Sequence, residues 1–152
     1  MSLADRPATL AAFFADDHHR CDDAWGAIEQ AIDRRDPAAL TVLWGTFEQT
    51  LRQHLAMEEE VLFPAFEEAT GMTGGPTYVM RLEHTQMRAV LGQMASAAVR
   101  GDSREVLDQG DTLLMLIQQH NAKEEAMLYP MSEQVLGGMW EGLRDRLQPY
   151  VG

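Results

Sequence analysis

The chain reads as all-α: an up-and-down antiparallel four-helix bundle built from two repeated helical hairpins, with a short C-terminal helix. Three observations predict this. Apolar residues recur at three- and four-residue steps along nearly every segment, and no alternating strand pattern of useful length occurs. The segment from His54 to Pro64 returns from His120 to Pro130 at a constant offset (120 − 54 = 66). The same offset carries Asp17-His18 onto Glu83-His84, so a set of histidines and carboxylates is repeated along with its apolar frame.

Helix one is expected from Pro7, a favourable first-turn residue, to about Arg35. Its inner face is Leu10, Phe14, His18, Cys21, Trp25, Ile28 and Ile32. Asp36 caps the next helix and Pro37 sits in its first turn. Helix two carries Leu40, Val42, Leu43, Phe47, Leu51, His54, Glu58, Val61 and Leu62 inward. Pro64 has no backbone donor, so it kinks or ends that helix, leaving a helical tail towards Ala69. The glycine-rich 71–76 stretch separates the repeats.

Helix three runs from about Pro76 to Arg100 and Gly101 closes it. Asp102 with Glu105 makes a capping box for helix four, which presents Leu107, Leu113, Leu114, Ile117, His120, Glu124 and Met127. Pro130 disturbs it as Pro64 does its twin. Gly137-Gly138 ends the bundle, and Trp140, Leu143 and Leu147 pack a short helix across one end. Trp25, Trp44 and the ten methionines read as core filling. The domain expectation is a single unit, 1–152, with repeats over about 7–70 and 76–136 and a C-terminal segment over 139–152.

Composition narrows the function. A net charge of −12 excludes nucleic acid or an anionic membrane as the main partner. No apolar run is long enough to span a bilayer, and Asp5 and Arg6 before a short 10–14 apolar run do not resemble a signal peptide. The single cysteine, Cys21, excludes an internal disulfide and reads as a small core residue in a reducing, cytoplasmic setting.

Turn positions set the depth of the histidines. His18 lies as far before Asp36 as His54 lies after it (36 − 18 = 18, 54 − 36 = 18). At ~1.5 Å per residue both stand ~27 Å from the turn. His84 and His120 are placed identically about Asp102, so four imidazoles share one layer. Glu58 and Glu124 follow their histidines at i+4, on the same face. Four imidazoles and two carboxylates in a bundle core require pairing or a cation. A metal pair satisfies them, with two histidines per ion and both glutamates bridging. Nitrogen and oxygen donors suit iron or manganese, zinc fits as well, and the lack of cysteine pairs excludes an iron–sulfur cluster.

Taken together, Asp17-His18, His54-x-x-x-Glu58, Glu83-His84 and His120-x-x-x-Glu124 resemble the hemerythrin-like, or HHE cation-binding, family, over about 10–130. The resemblance implies two non-haem iron ions bridged by carboxylates and an oxo or hydroxo group. It implies His18, His54, Glu58, His84, His120 and Glu124 as ligands. This chain departs from oxygen-carrying hemerythrins by having Arg88 in place of a further histidine. Those proteins also place an aspartate five residues after the helix-four histidine, where this chain has Glu125, with Glu124 at four; Glu125 is the alternative ligand.

The paired cysteines of the iron-centre repair branch are absent. Arg88 and its repeat counterpart Asp22 either support the site, Arg88 bonding Asp22 or a ligating glutamate, or face solvent. Asp17 and Glu83, turned away from their own histidines, are expected in solvent, as is His19. Phe63 and Tyr129 are expected as packing, with Tyr129 also eligible as a hydrogen-bonding or redox neighbour. The expected function is binding or sensing of oxygen, peroxide or nitric oxide. The alternatives are a di-iron oxidase or peroxidase and an iron-homeostasis module.

Overall fold

The computed structural model describes residues 9–151. Their elements follow as α1 (Leu10–Asp33), α2 (Pro37–Met57), a π-helical turn (Glu58–Leu62) and α3 (Phe63–Thr70). Then come α4 (Pro76–Val99), α5 (Ser103–Lys123), a second π-helical turn (Glu124–Leu128), α6 (Tyr129–Leu136), a short 3₁₀ turn (Gly137–Met139) and α7 (Trp140–Val151). Among the described residues the chain is all-helical, and no helix is long and apolar enough to cross a membrane.

Helix ends follow from local capping. Thr9 Oγ1 accepts the Ala12 amide at 3.2 Å and opens α1; Pro7, the expected start, lies outside the described residues, as do Asp5 and Arg6. Glu133, on α6, accepts the Ala11 amide at 3.1 Å and satisfies a second free donor of that end. Asp36 caps α2 through the Ala39 amide (3.0 Å), and Asp102 caps α5 through the Glu105 amide (3.1 Å). The expected capping box at Asp102 is only half formed. The Asp102 amide closes α4 on the Ala97 carbonyl at 2.9 Å, and the Glu105 carboxylate accepts from Gln109 instead.

The short turns after α1 and α4 each need a left-handed residue. Gly101 supplies it after α4 (φ 70°), and its repeat counterpart Arg35 adopts the same region after α1 (φ 56°). α1 packs along α2 and α4 along α5, while α1 also meets α6 and α2 meets α4. α7 lies against α2 and the first π turn. The packing forms two apolar clusters. One gathers Phe13, Phe14, Phe63, Phe66, Tyr129 and Trp140 with the leucines of α7; the other gathers Trp25, Trp44, Phe47, Leu91, Met94 and Val106. His18, His54, His84 and His120 occupy helix positions between the two clusters.

Several expected core positions differ. Val42 is 69% exposed, Met127 is 56% exposed, and Ala31 takes the buried place expected of Ile32. Met57, Met80, Met87 and Met94 fill the core, whereas Met115 and Met139 face solvent. Trp25 approaches the α5 backbone at Gly110, where an added Cβ would stand 2.2 Å from the indole. Apolar periodicity alone did not single out that glycine.

A side chain in the left-handed region costs ~1–2 kcal/mol, and glycine recovers most of that against its greater unfolded entropy. Arg35→Gly is therefore expected to stabilise the protein by ~0.5–1 kcal/mol. A rise in the midpoint of urea unfolding at unchanged slope checks it.

Candidate metal centre

The two π turns arise from the prolines. Within an α-helix Pro64 would lack its donor and press its ring on the carbonyl four residues back. The wider turn avoids the clash, with the Phe63 amide reaching the Glu58 carbonyl and the Tyr129 amide reaching Glu124 in the second repeat. The Glu59 carbonyl, which residue 64 cannot serve, accepts Arg81 Nη1 at 3.3 Å. The helix thus passes through Pro64 instead of stopping at it. Glu58 and Glu124 begin the two irregular turns.

All six predicted residues meet in the core. His18, His54, Glu58, His84, His120 and Glu124 are each at most 3% exposed. Each inward Nε2 has a carboxylate oxygen nearby: His18 to Glu124 at 3.0 Å, His84 to Glu58 at 3.1 Å, His120 to Glu124 at 3.2 Å and His54 to Glu58 at 3.5 Å. Their ligand atoms form two groups, each lying within 4.8 Å: His18, His54, Glu58 and Glu124, and Glu58, His84, His120 and Glu124. Both carboxylates belong to both groups.

The outward nitrogens reveal what the helix-by-helix reading missed. Asp17 is 1% exposed, and its Oδ2 accepts from His54 Nδ1 at 2.8 Å. Glu83 accepts from His120 Nδ1 at 2.9 Å. Both turn from the histidine beside them, which leads to the expectation of solvent, but that direction aims them at the histidine of the neighbouring helix. Glu59 accepts from His84 Nδ1 (2.7 Å), and Glu125 from His18 Nδ1 (3.0 Å). Every imidazole is thereby oriented by a carboxylate, and in the neutral tautomer its Nε2 lone pair faces the centre.

Cations complete three of these chains. Arg20 pairs with Asp17 at 2.6 Å, Arg88 with Glu59 at 3.0 Å, and Lys123 with Glu83. Arg88, expected either at Asp22 or a ligating glutamate or in solvent, instead reaches Glu59, the carboxylate behind His84. Asp22 and His19 are exposed, and Cys21 is a buried thiol that burial pushes up to about 12.

Tyr129 is the addition to the predicted set. Residues five apart on an α-helix point about 140° from each other; the π turn brings Tyr129 back towards Glu124. Its hydroxyl lies 2.6 Å from Glu58 Oε2, 3.0 Å from Glu124 Oε1 and 2.9 Å from His18 Nε2. Burial and the two carboxylate charges hold that phenol well above its ordinary value.

The electrostatics are those of a self-neutralising cluster. Burial disfavours the charged forms of His54, Glu58, His84 and His120, but their mutual pairing outweighs it. Glu58 is depressed by the His54 charge and by bonds from its neighbours, and His54 is raised by Glu58 and Asp17. Burial and then the bonds to Glu124 and Glu58 act on His120, whose net value rises from 6.5 to about 10. Even so, His54 Nε2, Glu58 Oε1 and Glu124 Oε2 are buried without a hydrogen bond of good geometry. His84 Nε2 and His120 Nε2 face each other at 3.2 Å. Two nitrogens bound at right angles at ~2.0–2.1 Å to one ion would stand ~3 Å apart, so the donor set fits a cation.

Asp17 is depressed: burial raises it, and the His54 bond and the charges of His54 and Arg20 more than reverse that. Its contribution is present above the ordinary 3.8 and is lost as pH falls through the lower folded value. Asp17→Ala is expected to cost roughly 1–3 kcal/mol near neutral pH, with the difference from wild type closing in acid. Denaturant unfolding across that range checks it.

No curated protein and no solved structure matches the chain. The Hemerythrin HHE cation binding domain matches residues 9–132, which include both π turns and all six inward ligand candidates. With that match spanning most of its length, the chain belongs to the hemerythrin HHE cation-binding domain family.

Proposed function

We propose that the chain holds two metal ions, iron in the first instance, and that the pair binds or senses dioxygen, peroxide or nitric oxide. The observation that carries this reading is the sharing of Glu58 and Glu124 by two four-residue ligand groups. His18 and His54 would hold one ion, His84 and His120 the other, and the two glutamates would bridge them. Glu124 rather than Glu125 takes the bridging role, since the Glu125 carboxylate serves the outward nitrogen of His18. When bound, the metal pair would supply Lewis acidity and reversible redox chemistry to a small ligand.

The protein's own groups supply the rest. Asp17, Glu59, Glu83 and Glu125 hold the imidazoles in the tautomer that presents Nε2 inward. The aromatic cluster around Phe13, Phe14 and Trp140 keeps water from one side, and the cluster around Trp25 and Phe47 keeps it from the other. Tyr129 holds a proton at its hydroxyl against Glu58. The same reading takes the bundle as two duplicated antiparallel hairpins, 7–70 and 76–136, closed by the C-terminal segment of a single domain. The lone cysteine supports a reducing, cytoplasmic setting. Manganese and zinc satisfy the same donors and serve as loading controls.

Protein expressed with supplementary iron is expected to carry about two irons per chain, with a near-ultraviolet band lost on anaerobic reduction. Glu58→Ala and Glu124→Ala should each lose most of the iron, while Glu125→Ala should retain it. A wild-type protein that folds but takes up no iron would end this reading. Peroxide titration then separates the alternatives: sustained turnover identifies an enzyme, and a stoichiometric spectral change identifies a sensor. A melting temperature that follows iron at physiological levels would instead identify a homeostasis module.

A further inference from the structure

Exposed apolar surface is not shared evenly between the two halves of the bundle. Among the described residues, ten large apolar side chains are exposed; seven lie within 76–136 and one, Val42, within 9–70. The 66-residue offset shows what differs at these positions (82 − 66 = 16, 99 − 66 = 33, 115 − 66 = 49). Leu82, Val99 and Met115 stand where the first half has Asp16, Asp33 and Gln49. Val79 and Met127 stand where it has Phe13 and Val61 (79 − 66 = 13, 127 − 66 = 61). That second pair is apolar in both halves but buried only in the first, where α7 covers it. Trp140 packs on the Phe13 ring at 5.4 Å, and Val61 lies with Trp140, Leu143 and Leu147. Val79 and Met127 lack such a cover and are 43% and 56% exposed.

These residues share one wall of the bundle. Met115, Gln119, Lys123 and Met127 follow at four-residue steps along α5 and the turn after it, which keeps them on one side. Lys123 reaches across to Glu83 on α4. Val79 lies one turn before Glu83 and Leu82 one turn after Val79, so both stand beside that row. The wall is also poor in charge. Positions 84–99 and 112–122 carry one Asp, Glu, Lys or Arg, the Arg88 that turns to Glu59 of the first π turn. The counterpart stretches, 18–33 and 46–56, carry five and two. Within the wall Glu83 and Lys123 neutralise each other.

We propose that this wall of α4 and α5 is the contact face of a symmetric dimer of the chain. Its size is sufficient. Helices of 24 and 21 residues lying side by side give a wall of about 35 by 20 Å, close to the ~800 Å² each partner brings to a stable interface. Charge selects the occupant. Two copies of net charge −12 repel each other through their acidic faces, whereas a twofold axis through this wall sets uncharged surface against the same uncharged surface. A basic partner is drawn to the acidic faces instead, and an anionic membrane finds no cluster of cations here. Association needs no bound metal. It would shield Glu83, the carboxylate behind His120, on the outer flank of the centre.

Sedimentation equilibrium of the full chain over roughly 1–100 μM reads this association directly. The wild type is expected at twice the mass of one chain in the upper part of that range. Leu82→Asp combined with Met115→Gln gives this wall the side chains that its counterpart positions carry. The pair should weaken association about a hundredfold, because a carboxylate would be buried unpaired at the contact. Val42→Asp, at an exposed position of α2, should leave the mass unchanged. Circular dichroism checks the helix content of each variant, and Val79→Glu repeats the test at a second exposed position. A wild type that is monomeric throughout, a dimer that survives the folded wall variants, or one that Val42→Asp dissociates overturns the proposal. Each of those outcomes leaves the two-ion reading standing.

Discussion

Two carboxylates and four imidazoles occupy one layer of the core, and the rest of the centre answers the cost of burying them there. An ion transferred from water into a bundle interior loses several kcal/mol of solvation unless partners replace the water. Here the replacement is layered. Glu58 and Glu124 face the four Nε2 atoms, four outer carboxylates face the four Nδ1 atoms, and Arg20, Arg88 and Lys123 close three of the outer carboxylates. Hydrogen-bonding partners alternate outward from the centre, carboxylate, imidazole, carboxylate and then cation, so the buried polar atoms of each layer face those of the next. A cation between the glutamates would continue the same alternation inward, where His54 Nε2, Glu58 Oε1 and Glu124 Oε2 have no hydrogen bond.

Backbone and site are coupled through the prolines. Pro64 and Pro130 each stand six residues after an inner glutamate, and each forces the preceding turn to widen. The widened turn changes which residues share a face. It keeps Glu59 and Glu125 within reach of imidazoles on other helices and rotates Tyr129 towards Glu124. Arg81 ties this geometry down on one side only, bonding the Glu59 carbonyl and Glu67 and lying over the Phe63 ring. π turns commonly mark functional positions because the irregular backbone is held only where other groups compensate it.

The 66-residue offset in the sequence matches the regularity of the centre, and the positions where its two halves differ are where that regularity fails. A doubled hairpin would by itself yield two identical half-sites. Exchange of one phenol for a phenyl ring and of one arginine for an aspartate is enough to make them chemically different while the six inner donors stay matched.

The helices, the caps at Asp36 and Asp102, the level of the four histidines and the grouping of the inner six are legible along the chain. Those properties follow from period, offset and distance to a turn, which are linear quantities read within one helix or one hairpin. The sequence leads Asp17 and Glu83 to be expected in solvent, because neighbouring residues on a helix point about 100° apart and nothing along one helix says what faces them. Only the packed structure supplies the adjacent helix whose histidine receives them. It likewise decided that Arg88 serves Glu59, that Pro64 widens its helix without ending it, and that Tyr129 joins the centre. Each depends on groups from separate helices competing for the same buried donors and acceptors, a competition that exists only once the helices have packed.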